Sequence, residues 1–230
     1  MSDFLAHSLF FGAWVTLACY EAGLLLRRRF KLAILNPLLL AALCVMAIIK
    51  LLGVSYLDYS RGSQYLTYLL TPATVALAIP LYEQIQLLRR NLAAILGSIL
   101  AGTLAGLTGI FLMSRFFGLP HQLYVSFLPK SITTAIGIGL SQELDGIMAL
   151  TVASIILTGI LGNVAGEALL RLFRIRDPIA RGLALGTASH AIGTAKALEL
   201  GEVEGAMASL SIAVAGIITV IAAPLFAKLL

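Results

Sequence analysis

Residues 128–140 read "LPKSITTAIGIGL". A lysine stands behind a proline and ahead of three hydroxyls, with no other charged residue for at least nine positions on either side. At the centre of a membrane helix a lysine costs about 2.5–3.5 kcal/mol, so a silent Lys130 is expensive. Pro129 suits the first turn of a helix, where its missing N–H goes unused. Ser131, Thr133 and Thr134 place hydroxyls in that same turn. A helix start also exposes backbone N–H groups and a partial positive charge, which favour an anion. Gly137 and Gly139 permit another backbone to come close. The stretch therefore reads as a helix that begins at membrane depth, and a bundle built on such a break is a discontinuous-helix fold.

The rest of the chain sets the solvent. Of 230 residues, 60% are hydrophobic and 12% charged, with a mean hydropathy of +0.98. Ordinary soluble domains carry roughly 25% charged residues. The apolar runs are continuous and about the 20 residues that a spanning helix needs, and they do not alternate as barrel strands do. The fold class is all-α, a polytopic helical membrane protein. The net charge of +5 matches the basic-loop bias that orients membrane helices. No basic stripe carries interleaved aromatics, so nucleic acid is not an expected partner. Cys19 and Cys44 lie in apolar runs and read as small buried hydrophobes. The first apolar run ends in Arg27, Arg28 and Arg29, which reads as a retained helix and not a signal peptide.

The pattern predicts seven to eight membrane elements, near 4–26, 34–54, 65–88, 91–115, 122–142, 146–171, 182–198 and 205–229. Short connections make 1–230 one membrane domain, with two N-terminal helices over 1–60 and a core over 65–230. Basic loops at 89–90 and 171–181 should share a side. Three elements separate them, so one does not cross, and the fifth, with Pro129 and Lys130 near its middle, fits a re-entrant segment. This places the N-terminus outside and the C-terminus in the cytoplasm. "TPATVALAIPL" (71–81) can be laid over "KSITTAIGIGL" (130–140), and "GIMALTVA" (146–153) over "GAMASLSI" (205–212). Such echoes fit an inverted repeat of the transporter kind.

Two further stretches are too polar to face lipid. "LTPATVALAIPLYEQ" (70–84) combines Pro72 and Pro80 with Thr71, Thr74, Glu83 and Gln84. "GTASHAIGTAKALE" (186–199) holds Thr187, Ser189, His190, Thr194 and Lys196. In an unbroken helix Thr187, His190 and Thr194 would share one face. His190 has no second ligand at metal spacing, so no metal or cofactor is expected. No nucleophile, base and orienter set occurs, which argues against an enzyme. Ser98, Gly102 and Gly106, and then Gly162 and Gly166, recur at intervals of four, a helix-packing signal compatible with a homo-oligomer.

The three polar stretches, with "NPLLLA" at 36–41, resemble the signatures of the LrgB/CidB family of bacterial inner-membrane proteins over nearly the whole chain. That resemblance implies one of two activities. Plastid relatives are glycolate/glycerate transporters, and bacterial members have been linked to pyruvate. Other members are antiholin-like proteins that modulate murein hydrolases and lysis beside a small partner of the LrgA/CidA type. This chain has Ala135 where the family commonly has proline, and Lys196 where it often has arginine.

On the residues alone, a carrier of small carboxylates in a lipid bilayer explains the costly polar groups. The expected anion-binding set is Lys130, Ser131, Thr133, Thr134, Thr74, Thr187, Ser189, His190, Thr194 and Lys196. The antiholin-like role is the alternative. Lys130 has two candidate partners at this point, a substrate carboxylate or a nearby acid such as Glu83.

Overall fold

A computed structural model describes residues 10–30, 35 and 37–230, apart from the side chains of residues 70, 74 and 81. Twelve helices and no strand occur among the described residues. They divide into two compact units, one ending at Ala76 and one from Leu77 to Leu230.

In the first unit α1 (Phe11–Phe30) packs on α2 (Pro37–Leu52) and α3 (Tyr56–Tyr68), and α4 (Leu70–Ala76) comes next in the chain. Gly12 lets α1 meet the α3 backbone: a Cβ there would lie 2.7 Å from Ser63 N. Thr16 Oγ1 donates to Gly12 O at 2.7 Å and shares a 2.7 Å hydrogen bond with the Tyr59 hydroxyl, tying the two helices together. Cys19, Ala41 and Val45 form the small core. Cys44, expected to be buried, is exposed instead.

The second unit holds α5 (Ala78–Glu83), α6 (Ile85–Arg90), α7 (Leu92–Phe117), α8 (His121–Phe127), α9 (Thr134–Glu143), α10 (Met148–Leu172), α11 (Pro178–Leu200) and α12 (Glu202–Ala227). Helices α7, α10 and α12 are each long and apolar enough to cross a membrane. On α7, Leu92, Leu96, Leu100 and Leu104 repeat every fourth residue along an exposed stripe. Ile95, Ile99, Thr103, Leu107, Ile110 and Ser114 are buried on another face. An exposed leucine stripe on such a helix is a lipid face. The molecule is a helical membrane protein.

Helices α11 and α12 form the tightest pair. A Cβ on Gly186 would lie 2.5 Å from Ala208 O, and one on Gly182 2.9 Å from Glu204 Cα. In lipid no hydrophobic force draws helices together, so close backbone approach over small residues supplies dispersion contacts instead. The third expected span is not one helix. Residues 56–90 form α3, α4, α5 and α6, four short pieces, with Pro72 and Pro80 inside α4 and α5. Proline removes ladder hydrogen bonds, and a ladder interrupted twice does not propagate.

Candidate functional site

The segment that carries Lys130 is the connection between α8 and α9. Backbone bonds close it as two turns, Lys130 N–H to Phe127 O at 3.0 Å and Ile132 N–H to Pro129 O at 3.2 Å. Leu128, Pro129 and Ile132 are almost fully buried and anchor it. Leu128 and Ile132 join Tyr124, Leu107 and Ala223 in one core cluster, and the Tyr124 hydroxyl donates to Phe226 O at 2.8 Å. The apolar residues of the loop thus point into the bundle and hold the backbone still. Lys130 and Ser131 are left partly buried, with Lys130 Nζ donating to Ser131 Oγ at 3.0 Å.

A hydroxyl network braces the helices on either side of this loop. Ser126 Oγ accepts from Ile147 N–H at 2.7 Å, Thr151 Oγ1 donates to Ser126 O at 2.9 Å, and Ser141 Oγ lies 2.7 Å from Thr151 Oγ1. These buried polar groups satisfy one another across α8, α9 and α10, as buried polar groups must.

Helix α11 is broken as well. Ser189 (φ −136°) and His190 (φ 42°, ψ −139°) leave helical geometry in its middle. A histidine at positive φ in this region costs about 1–3 kcal/mol. Side chains offset that cost. His190 Nε2 donates to Ile155 O at 3.0 Å, Asn163 Nδ2 to Ile192 O at 2.9 Å, and Thr194 Oγ1 to His190 O at 2.9 Å. Gly159 and Gly162 on α10 clear the space, since a Cβ on Gly162 would overlap the Ser189 side chain.

Between α7, the Lys130 loop, α11 and α12 lies a cavity of about 350 Å³. Its polar lining comes from Ser98, Thr103, Lys130, Ser131, Thr187 and Thr219, and Gly102 and Gly106 also line it. Thr103 and Thr187 are 8% and 9% exposed, and neither hydroxyl has a hydrogen-bond partner. A buried unpaired hydroxyl costs about 1–3 kcal/mol, and two beside one lysine are a ligand-shaped deficit. Among the described residues no carboxylate forms an ion pair with Lys130, and Glu83 is exposed. The cavity is therefore lined by a lysine with no acidic partner among the described residues and by two threonines whose buried hydroxyls are unpaired. That donor set fits a small anion with two or three oxygens.

Of the ten expected residues, Lys130, Ser131 and Thr187 line this cavity. Thr133 caps α9 through its backbone and, like Thr134, is partly buried outside the lining. The side chain of Thr74 lies outside the described residues. Ser189, His190 and Thr194 sit at the α11 break, turned to α10 or to their own helix. The break is why Thr187 does not share a face with His190 and Thr194. Lys196 pairs with Glu167 at 2.9 Å and Glu199 at 3.2 Å, away from the cavity. Thr103 and Thr219 are additions that the sequence reading does not contain. Thr103 stands next to Gly102 inside the small-residue repeat of α7, and a hydroxyl beside a packing motif is the available signal. Gly106, expected to be a packing position, faces open space within 4 Å. No metal-holding group of three or more His, Cys, Asp or Glu occurs among the described residues.

The sequence profile of the LrgB-like family matches residues 16–229. A Bacillus subtilis (strain 168) protein named antiholin-like protein LrgB is 38% identical over 224 residues, 97% of each chain. A protein of the same name from Bacillus cereus (strain B4264) is 37% identical over 218 residues, 94% of this chain and 95% of the relative. One from Bacillus anthracis (strain CDC 684 / NRRL 3495) is similar to the same degree. No solved structure matches the chain.

Proposed function

The chain belongs to the LrgB-like family, and from that premise we propose a function at two levels, cellular and molecular. At the cellular level the names of the relatives favour an antiholin-like role. That role is to modulate murein hydrolase activity and lysis from the bacterial inner membrane, as a multi-pass protein beside a small LrgA/CidA-type partner. At the molecular level the geometry favours binding and movement of a small carboxylate of the glycolate, glycerate or pyruvate kind.

One observation carries the molecular reading. Lys130, without an acidic partner among the described residues, shares a cavity with the unpartnered hydroxyls of Thr103 and Thr187. Lys130 would supply the charge, Ser131 would orient its ammonium, and the two threonines would donate to carboxylate oxygens. In a membrane interior such charge-assisted bonds are strong, because water does not compete for them. His190, Asn163 and Thr194 would hold the broken helix that presents Thr187.

The test is uptake of labelled glycolate or pyruvate into vesicles containing the purified protein. Saturable uptake, lost in Lys130→Ala at unchanged protein level, is the expected result. Uptake equal to wild type in that variant would sink the molecular reading. Non-saturable passage of ions and large solutes would leave only the antiholin-like role, exerted through a membrane lesion.

A further inference from the structure

A second charged pocket lies at the turn between α10 and α11. Helix α10 ends in a Schellman turn, with Arg174 N–H donating to Arg171 O at 3.0 Å and Ile175 N–H to Leu170 O at 2.8 Å. Helix α7 ends in the same turn, Gly118 N–H to Arg115 O at 3.4 Å and Leu119 N–H to Ser114 O at 2.9 Å. In α7 the left-handed position is Gly118 (φ 62°), whereas in α10 it is Arg174 (φ 56°). Glycine takes that conformation without strain and arginine does not. For the turn alone arginine is the poorer residue, so its side chain is what has a use.

Beside the turn is a cavity of about 390 Å³ whose charged lining is Arg171, Arg174, Arg176, Arg181 and Glu167. Glu167 is already engaged by Arg171 and by Lys196, and Arg181 pairs with Glu204 at 3.1 Å. No ion pair among the described residues engages Arg174 or Arg176. Two forked guanidiniums on one cavity match the oxygens of a phosphate. The surroundings indicate where that phosphate comes from. Leu169, Leu172 and Phe173, at the end of a membrane-spanning helix, are 50%, 72% and 71% exposed. That helix end, whose last turns expose apolar side chains to lipid, sets the arginines at the edge of the membrane, where a basic face meets anionic headgroups.

We propose that Arg174 and Arg176 bind the phosphate headgroup of an anionic phospholipid. The site shares no residue with the Lys130 cavity and stands whether or not that cavity moves a carboxylate. The experiment titrates the purified full-length chain in neutral detergent with short-chain phosphatidylglycerol, phosphatidylcholine and inorganic pyrophosphate. It compares wild type, Arg174→Gln/Arg176→Gln, and the control Arg89→Gln/Arg90→Gln, whose two arginines are also exposed. All four side chains are exposed, so both double variants should fold.

The expected result is phosphatidylglycerol binding that weakens about tenfold or more in Arg174→Gln/Arg176→Gln and not in the control. Pyrophosphate should then have little effect. If pyrophosphate instead binds with the same dependence on Arg174 and Arg176, and the lipid does not, the lipid source is overturned in favour of a soluble phosphate compound. Equal binding of both probes by wild type and variant, or no binding by wild type, overturns the site.

Discussion

Thr187 has a hydroxyl that lowers the stability of its own fold. Its Oγ1 is buried with no partner, while its methyl sits close to Gly102, whose Cβ would lie 3.2 Å from Thr187 Cγ2. Valine keeps that shape and removes the idle hydroxyl. Thr187→Val should therefore raise the melting temperature or leave it unchanged, because an unmet donor costs about 1–3 kcal/mol. The same change should weaken carboxylate binding by roughly tenfold or more, the loss of one hydrogen bond to a charged group. A thermal scan and a binding titration on one preparation check both signs. A purely structural threonine would lose stability and leave binding alone. Thr103→Val should behave in the same way. His190 predicts the opposite pattern. It bonds Ile155 O from the α11 break and lines no part of the cavity. His190→Ala should lower stability by about 1–3 kcal/mol and reduce carboxylate affinity per folded molecule far less than Thr187→Val does, because the Asn163 and Thr194 bonds still hold the break, measured by titration after removal of aggregate.

At the scale of elements, the two breaks are not equally legible in sequence. The α8–α9 break is written in residue types, since proline and lysine cannot both sit quietly inside a membrane helix. The α11 break has no proline and no charge at its centre: Ser189 and His190 continue a fair helical pattern. Its cause lies on α10, where Gly159 and Gly162 make room and Asn163 Nδ2 donates to Ile192 O just beyond the break. Sequence shows that small residues are present but not which neighbour fills the room. For that reason Thr187 can be expected in the site while its companions on the expected face are carried elsewhere. The polar stretch near 70–84 shows the same limit, because two prolines announce interruption but not its division among short helices. The α10–α11 fit makes its own prediction. Gly162→Ala overlaps the Ser189 side chain, and overpacking of this kind costs about 1–3 kcal/mol. Folded yield in detergent should fall, and Ser189→Gly in the same chain should restore part of it.

At the scale of the whole molecule, the position of Lys130 offers a way to separate the two proposed activities. Besides the 350 Å³ cavity it lines a second and more open one of about 470 Å³, bounded by Gly109, Met113, Ser114, Leu119 and Phe127. Gly106 and Ile110 border both cavities. A Cβ on Gly106 meets nothing within 4 Å, so that glycine marks open space and not a helix contact. If an anion passes Lys130 from one cavity to the other, it passes Gly106. Gly106→Leu should project into the gap, starting from a Cβ that meets no neighbour. A leucine is also a better helix former than glycine, by roughly 1 kcal/mol, so the melting temperature should hold or rise. Carboxylate uptake into vesicles should nevertheless collapse. Gly97 offers the control, since it also lies on α7 with nothing within 4 Å of a Cβ, and it lines neither cavity. Gly97→Leu should leave uptake near wild type. A lysis phenotype that survives Gly106→Leu while uptake is lost would show that the antiholin-like role does not run through the anion site. If both are lost together, movement of a small anion past Lys130 is how the antiholin-like role is exerted.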